Sequence, residues 1–153
     1  LVESVVGSFI GKVRADYLDV LQKIADNCFE TKIFQSEYAD KIIQYVREKY
    51  RHELEYLWQK FPENAIVRRS DNQKWYLALL TVEKNKLGLD GSGKTEIIDL
   101  RINPDELKNI ADGQKYFLGY HMNKKHWVTI CLDGSVDLQE IFDRIDASYA
   151  LAK

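Results

Sequence analysis

The 153 residues are 45% hydrophobic, 12% aromatic and 30% charged, a composition that excludes a disordered, collagenous or low-complexity chain and fits one globular domain. With 22 Lys and Arg against 24 Asp and Glu, the formal charge is −2, so no global basic field marks a nucleic-acid binder. No apolar run approaches the ~18 residues of a membrane helix, and Cys28 and Cys131 lie too far apart for a C-x-x-C pair; both are expected as reduced thiols of a cytoplasmic protein.

Val13, Tyr17, Leu18, Leu21, Ile24, Ala25 and Cys28 recur at helical spacing, which predicts an amphipathic helix over residues 12–28. Ser36 offers the N-cap of a second helix, with Glu37 and Asp40 in its first turn. Its apolar stripe runs Ala39, Ile42, Ile43, Val46 and Tyr50. The same spacing carries it on, after a kink near Arg51-His52, through Leu54, Leu57, Trp58 and Phe61 to a stop at Pro62. Trp58 is thereby expected in the core, at a cost of about 3–5 kcal/mol on truncation.

The period then changes. Residues 65–69, 75–82 and 95–102 read as strands separated by Asp71-Asn72 and by a Gly-rich segment over 88–93. In the third, Ile98, Leu100 and Ile102 face one side while Asp99 and Arg101 face the other. Asn103, Pro104 and Glu106 open a short helix that Gly113 is expected to end. A last strand spans 126–132. Asp137 and Glu140 then start the final helix, with Val136 as staple and Leu138, Ile141, Phe142, Ile145 and Tyr149 as buried stripe. Hairpin-length connections among the strands predict an α+β domain, an antiparallel β-sheet with flanking helices.

Gly88-Leu89-Asp90-Gly91-Ser92-Gly93-Lys94-Thr95 fits the phosphate-loop pattern letter for letter. That chemistry needs a helix starting at the Lys, and here the following residues alternate as a strand does. Asp90 would also repel a triphosphate. The segment is read as a hairpin loop, without nucleotide. His121 and His126 lack the further ligands that a zinc site requires, so no metal and no cofactor are expected. No nucleophile elbow or zinc-protease helix is present, and no catalytic residue is assigned.

Charge is uneven: residues 61–132 carry 11 basic and 9 acidic side chains, residues 133–153 only 2 against 5. Arg68, Arg69, Lys74, Lys124, Lys125 and His126 fall at strand ends or turns, where cations can reach phosphates.

The run His121-Met122-Asn123-Lys124-Lys125-His126-Trp127, followed by Thr129, Leu132-Asp133-Gly134-Ser135 and Ile145-Asp146-Ala147-Ser148-Tyr149, closely resembles the MmcQ/YjbR family of bacterial proteins. Trp75-Tyr76 and Lys86-Leu87-Gly88 resemble its longer Gram-positive members. The resemblance covers residues 36–151 and implies a CyaY-like (frataxin-like) α+β fold for 36–153. Residues 1–35 would then be a linker helix following a further N-terminal region. It also implies DNA binding through a double-wing arrangement of hairpins.

The leading expectation is a non-enzymatic protein that binds DNA weakly and without sequence preference. Asn123, Lys124 and Lys125 would contact phosphates, joined by Arg68, Arg69 and Lys74 from nearby hairpins, with His121, His126 and Trp127 shaping the turn or stacking. The alternative is a protein- or small-ligand-binding module whose pocket forms around His121, Asn123, His126 and Trp127. No membrane contact is expected, and the protein partner is unspecified.

Overall fold

The computed structural model describes residues 12, 14–20 and 33–153, and the chain divides into Leu1–Ile33 and Phe34–Lys153. In the first unit residues 12 and 14–20 are helical, with Tyr17, Leu18 and Val20 exposed. The remainder of the expected 12–28 helix, Cys28 included, lies outside the described residues.

The second unit begins with helix α1, Glu37–Tyr50. Ser36 Oγ accepts the Ala39 N–H at 3.0 Å, and the Glu96 carboxylate accepts the N–H groups of Gln35 and Ser36 at 2.6 and 2.8 Å. The Ser36 and Ala39 N–H groups are among the donors a helix start leaves unpaired. Ala39, Ile42 and Val46 are the buried stripe. The helix does not run on to Pro62. Arg51 turns left-handed (φ 58°, ψ 34°) and ends it, and the backbone of Glu55 exchanges hydrogen bonds with Ile66 at 2.8 and 2.9 Å. Residues 51–63 therefore pass beside the sheet edge, and the helical spacing of Leu54, Leu57, Trp58 and Phe61 is coincidental.

Strands β1 (Asn64–Arg68), β2 (Trp75–Glu83), β3 (Lys94–Arg101), β4 (Tyr116–Leu118) and β5 (Trp127–Cys131) form one antiparallel sheet in the order β1-β2-β3-β5-β4. The expected strands are present; the three-residue β4 is an addition. Between β2 and β3 a 3-10 turn, Lys84–Leu87, leads into the Gly-rich loop, where Gly88, Gly91 and Gly93 all have positive φ. Lys94 then opens β3, not a helix, and its ammonium lies 3.3 Å from Glu63.

Helix α2 (Pro104–Ile110) is capped by the Asn103 side chain, which accepts from Asp105 N–H, and it ends at Ala111; Gly113 belongs to the turn before β4. Helix α3 (Leu138–Leu151) starts at Asp137, whose side chain makes no capping bond. Neither Glu106 nor Glu140 closes a capping box: both carboxylates are bound to Arg144, and Glu140 also takes the Tyr116 hydroxyl.

One face of the sheet carries the helices. Leu77, Leu79, Ile98, Leu100, Val128 and Ile130 are paired across β2, β3 and β5 and lie beneath α3, whose Ile141 and Ile145 are fully buried. The Asp146-Ala147-Ser148-Tyr149 segment fastens this layer. Ser148 Oγ accepts Arg101 N–H at 2.8 Å and donates to the Tyr76 carbonyl. Asp146 accepts from Tyr45, Tyr50 and Lys49, and Tyr149 stacks on Tyr50 at 4.2 Å. Burial raises the Asp146 carboxyl, but the bonds from Lys49, Tyr50 and Tyr45 outweigh it and hold the group below its ordinary range. The motif that carries the family resemblance in this helix is thus structural.

The opposite face holds a second cluster, Leu80, Val82, Ile97, Phe117 and Cys131, covered by Leu87, Leu89 and Tyr120. Cys131 is a free, buried thiol, pushed up to about 11 by burial and by the Asp133 charge, and so is unreactive.

Candidate functional site

The β4–β5 turn is built by its own backbone. Gly119 N–H donates to the Trp127 carbonyl at 3.0 Å, and a Cβ at Gly119 would stand 2.7 Å from Trp127 Cβ, so only glycine fits. His121 is left-handed at φ 58°. Asn123 Oδ1 accepts the Lys125 N–H at 2.9 Å, and the Asn123 carbonyl accepts the His126 N–H at 3.2 Å. The His126 carbonyl in turn accepts Ile102 N–H at 2.9 Å. Trp127 is 7% exposed, with the Arg101 guanidinium 4.9 Å from its ring centroid. His121, Asn123, Lys124, Lys125 and His126 are all exposed.

The other basic residues singled out in the sequence are engaged. Arg68 makes two hydrogen bonds to Glu55, both at 2.7 Å. Arg69 does the same with Asp71, at 2.9 and 2.6 Å, while donating to the Tyr149 carbonyl and lying 4.3 Å from that ring's centroid. Lys74 donates to the Lys153 carbonyl. Bidentate pairing neutralises Arg68 and Arg69. Lys124 Nζ reaches the Gly119 carbonyl at 3.4 Å, leaving Lys125 as the least encumbered cation of the set.

Beside this turn the open face of the sheet holds a cleft of about 730 Å³. Leu80 and Val82 lie at its base. Trp58, Phe61 and Pro62 form one wall, Tyr120, His121 and Met122 the other, and Trp75 closes one end. A bulge explains Trp75: Arg68 pairs with Trp75 while Val67 pairs with Leu77, so Tyr76 is the extra residue. Tyr76 joins Tyr50 and Tyr149 on the helix side, and Trp75 meets Trp58 edge-on at 5.7 Å. Lys60, Lys86, Lys94, Glu63 and Glu83 rim the opening. Of the expected pocket residues only His121 lines this cleft; Asn123, His126 and Trp127 do not.

Sequence reasoning missed the wall from 58–62, which it placed on a helix, and it missed Asp99. That carboxylate is 0% exposed in mid-strand. Oδ1 accepts the Thr129 hydroxyl, Thr129 Oγ1 accepts the Tyr120 N–H at 2.8 Å, and Oδ2 has no hydrogen-bond partner. Burial pushes Asp99 up to about 7, against the lowering pull of Thr129, the Tyr120 amide and the Lys124 charge. The available signal was a lone carboxylate inside Ile97-Ile98-Asp99-Leu100.

Fold and site together define an α+β protein: a five-stranded antiparallel sheet with helices on one face and an aromatic-walled cleft on the other. The chain belongs to the YjbR family, whose model matches residues 47–151. It is 37% identical over 114 residues to the uncharacterised protein YyaQ of Bacillus subtilis (strain 168), a match covering 74% of this chain and 97% of YyaQ. A Pseudomonas syringae protein is 34% identical; its crystal structure superposes with a TM-score of 0.72 over 74% of this chain and 97% of that one. The solution NMR structure from the same organism gives 0.67 over 75% and 92%. At 22% identity, Deinococcus radiodurans DR2400 shares the fold, with a TM-score of 0.57 over 74% of this chain and 76% of that one. No helix among the described residues is long and apolar enough to cross a membrane.

Proposed function

We propose that this YjbR-family chain is a non-enzymatic binding protein whose ligand site is the open-face cleft, and that the ligand is a small aromatic molecule carrying an anionic group. The observation that carries this reading is the cleft itself. Its volume of about 730 Å³ falls in the range of small-molecule sites, and Trp58, Phe61, Trp75 and Tyr120 give it flat apolar surfaces. Lys60 and Lys86 stand at its rim with no carboxylate partner among the described residues, which favours an anion over a cation. A cytoplasmic location, with residues 1–35 as a linker helix, completes the proposal.

DNA binding through residues 121–127 is the less favoured reading. Arg68 and Arg69 are already paired with carboxylates, and Asn123 Oδ1 is committed to the turn. That leaves too few free cations for the several phosphate contacts that give nucleic-acid affinity.

Fluorescence titration with anilinonaphthalenesulfonate, an aromatic anion, tests the proposal. Saturable binding is expected, weakened by Phe61→Ser and by Lys60→Glu with Lys86→Glu, and unaffected by Lys124→Ala with Lys125→Ala. Failure of the probe to bind, together with duplex binding lost in the Lys124/Lys125 double variant, would overturn it in favour of nucleic acid.

A further inference from the structure

We propose that Arg101 anchors an oxyanion site at the end of the sheet where β2, β3 and β5 meet, its guanidinium presenting a fixed two-pronged donor to a carboxylate or phosphate group of a small molecule. The site stands apart from the cleft, which Arg101 does not line, and does not depend on the cleft being a binding site.

Three contacts hold this residue in place. The β2–β3 ladder ends at Leu77 and Leu100, so the Trp75 and Tyr76 carbonyls lie beyond it; Ser148 Oγ donates to the second and Arg101 Nε to the first. The Arg101 N–H is itself bound to Ser148 Oγ at 2.8 Å. Across the β3–β5 ladder Arg101 faces Trp127, and the guanidinium carbon lies 4.9 Å from that ring's centroid. Nε and the flat face of the guanidinium are therefore engaged, while Nη1 and Nη2 make no hydrogen bond. Neither is buried: among the described residues the buried side-chain atoms without partners are Thr81 Oγ1, Asp99 Oδ2 and Arg144 Nε. The fork thus reaches solvent with its orientation already fixed, which spares a ligand the cost of ordering a long side chain.

Charge sets Arg101 apart from the other half-buried arginines. Arg68 is paired with Glu55, Arg69 with Asp71, and Arg144 with Glu106 and Glu140; Arg101 has no carboxylate within ion-pair distance among the described residues. The acidic residues that share a recess of about 270 Å³ with it are engaged elsewhere, Glu106 and Glu140 on Arg144 and Asp143 on the Gln139 amide at 3.1 Å. Burial alone holds the Arg101 guanidinium below its ordinary range, with no carboxylate to counter it. A partly desolvated cation without a counter-ion gains more from an incoming anion than an exposed lysine does. The planar pair of Nη groups matches two oxygens of a carboxylate or phosphate, the geometry of a bidentate contact. The Trp75 carbonyl and the Trp127 ring leave that edge open.

The test is an NMR titration of the parent chain with sodium phosphate and, separately, sodium acetate, at ionic strength held constant with chloride. The reporters are the Arg101 Nε–H, which its bond to the Trp75 carbonyl slows in exchange, and the Trp127 indole N–H. Saturable shifts of both are expected, with half-saturation on the order of 10 mM, the reach of one bidentate contact. The anion that saturates first distinguishes a phosphate from a carboxylate ligand. Arg101→Lys keeps the charge but removes the fork, and the saturable shift of the Trp127 indole should disappear. A drift no different from that caused by chloride overturns the proposal on the parent chain alone, whatever the variant does to folding. So does a saturable shift that survives in Arg101→Lys, or one centred on Lys124 and Lys125 in place of Arg101 and Trp127.

Discussion

The two faces of the sheet are built from similar strands and finished differently. On the helix side α3 is fastened by Ser148, Asp146 and Tyr149. On the open side the cover is a 3-10 turn, a loop and the β4–β5 turn, and the space left between them and residues 58–62 is the cleft. The family motifs divide in the same way: the helix motif packs against the sheet, and the 121–127 run contributes His121 and Met122 to the lining of the cleft. A buried serine is therefore expected to matter to the fold, and under the proposed function an exposed phenylalanine to binding.

The largest expected effect sharpens that contrast on the helix side. Ile145→Ala empties a fully buried position under α3 and should cost about 2–5 kcal/mol in denaturant unfolding. On the open side Gly119→Ala drives a methyl to 2.7 Å from Trp127 Cβ, and the turn must shift; about 1–3 kcal/mol is expected, with weakened probe binding.

Two carboxyls should make stability depend on pH in opposite senses. The native state holds the Asp99 proton more tightly than the unfolded chain, whose carboxyl titrates near ~3.9. Its contribution is therefore most favourable below that value, falls as pH rises to about 7, and is constant above. Asp112, held down to about 2 by the N–H groups of Tyr116, Gln114 and Lys115, acts in the opposite sense at lower pH. The difference between the parent chain and Asp99→Asn isolates the first effect. Their stabilities should diverge from acid to neutral pH, with the Asn form ahead; parallel curves would contradict the burial of a titrating carboxyl. The smallest effect is Phe61→Ser: 59% exposed, it should change stability by less than about 0.5 kcal/mol yet weaken probe binding.

Much of the fold was readable because local signals agreed with one another. Ser36 and Asn103 cap as their positions imply, and the period-two run after Lys94 outweighs a perfect phosphate-loop match. Strand β4 escaped because three residues, Tyr116, Phe117 and Leu118, are too few to show alternation. Leu54, Leu57, Trp58 and Phe61 keep helical spacing, but the left-handed Arg51 and the Glu55–Ile66 pairing are tertiary decisions that periodicity cannot express. The site was legible only in part. The run from 121 to 127 marks one wall, whereas the facing wall arrives from a segment some sixty residues earlier. The pairing of Arg68 with Glu55 and of Arg69 with Asp71 likewise depends on the folded arrangement of neighbouring charges.

The most direct test of the central claim is an NMR map of amide shifts on titration with anilinonaphthalenesulfonate. The account predicts saturable changes confined to Trp58 through Asn64, Leu80 through Glu83, and Tyr120 through Met122, the walls and base of the cleft. Changes centred on α3, or no saturable change while a DNA duplex shifts Lys124 and Lys125, would contradict it.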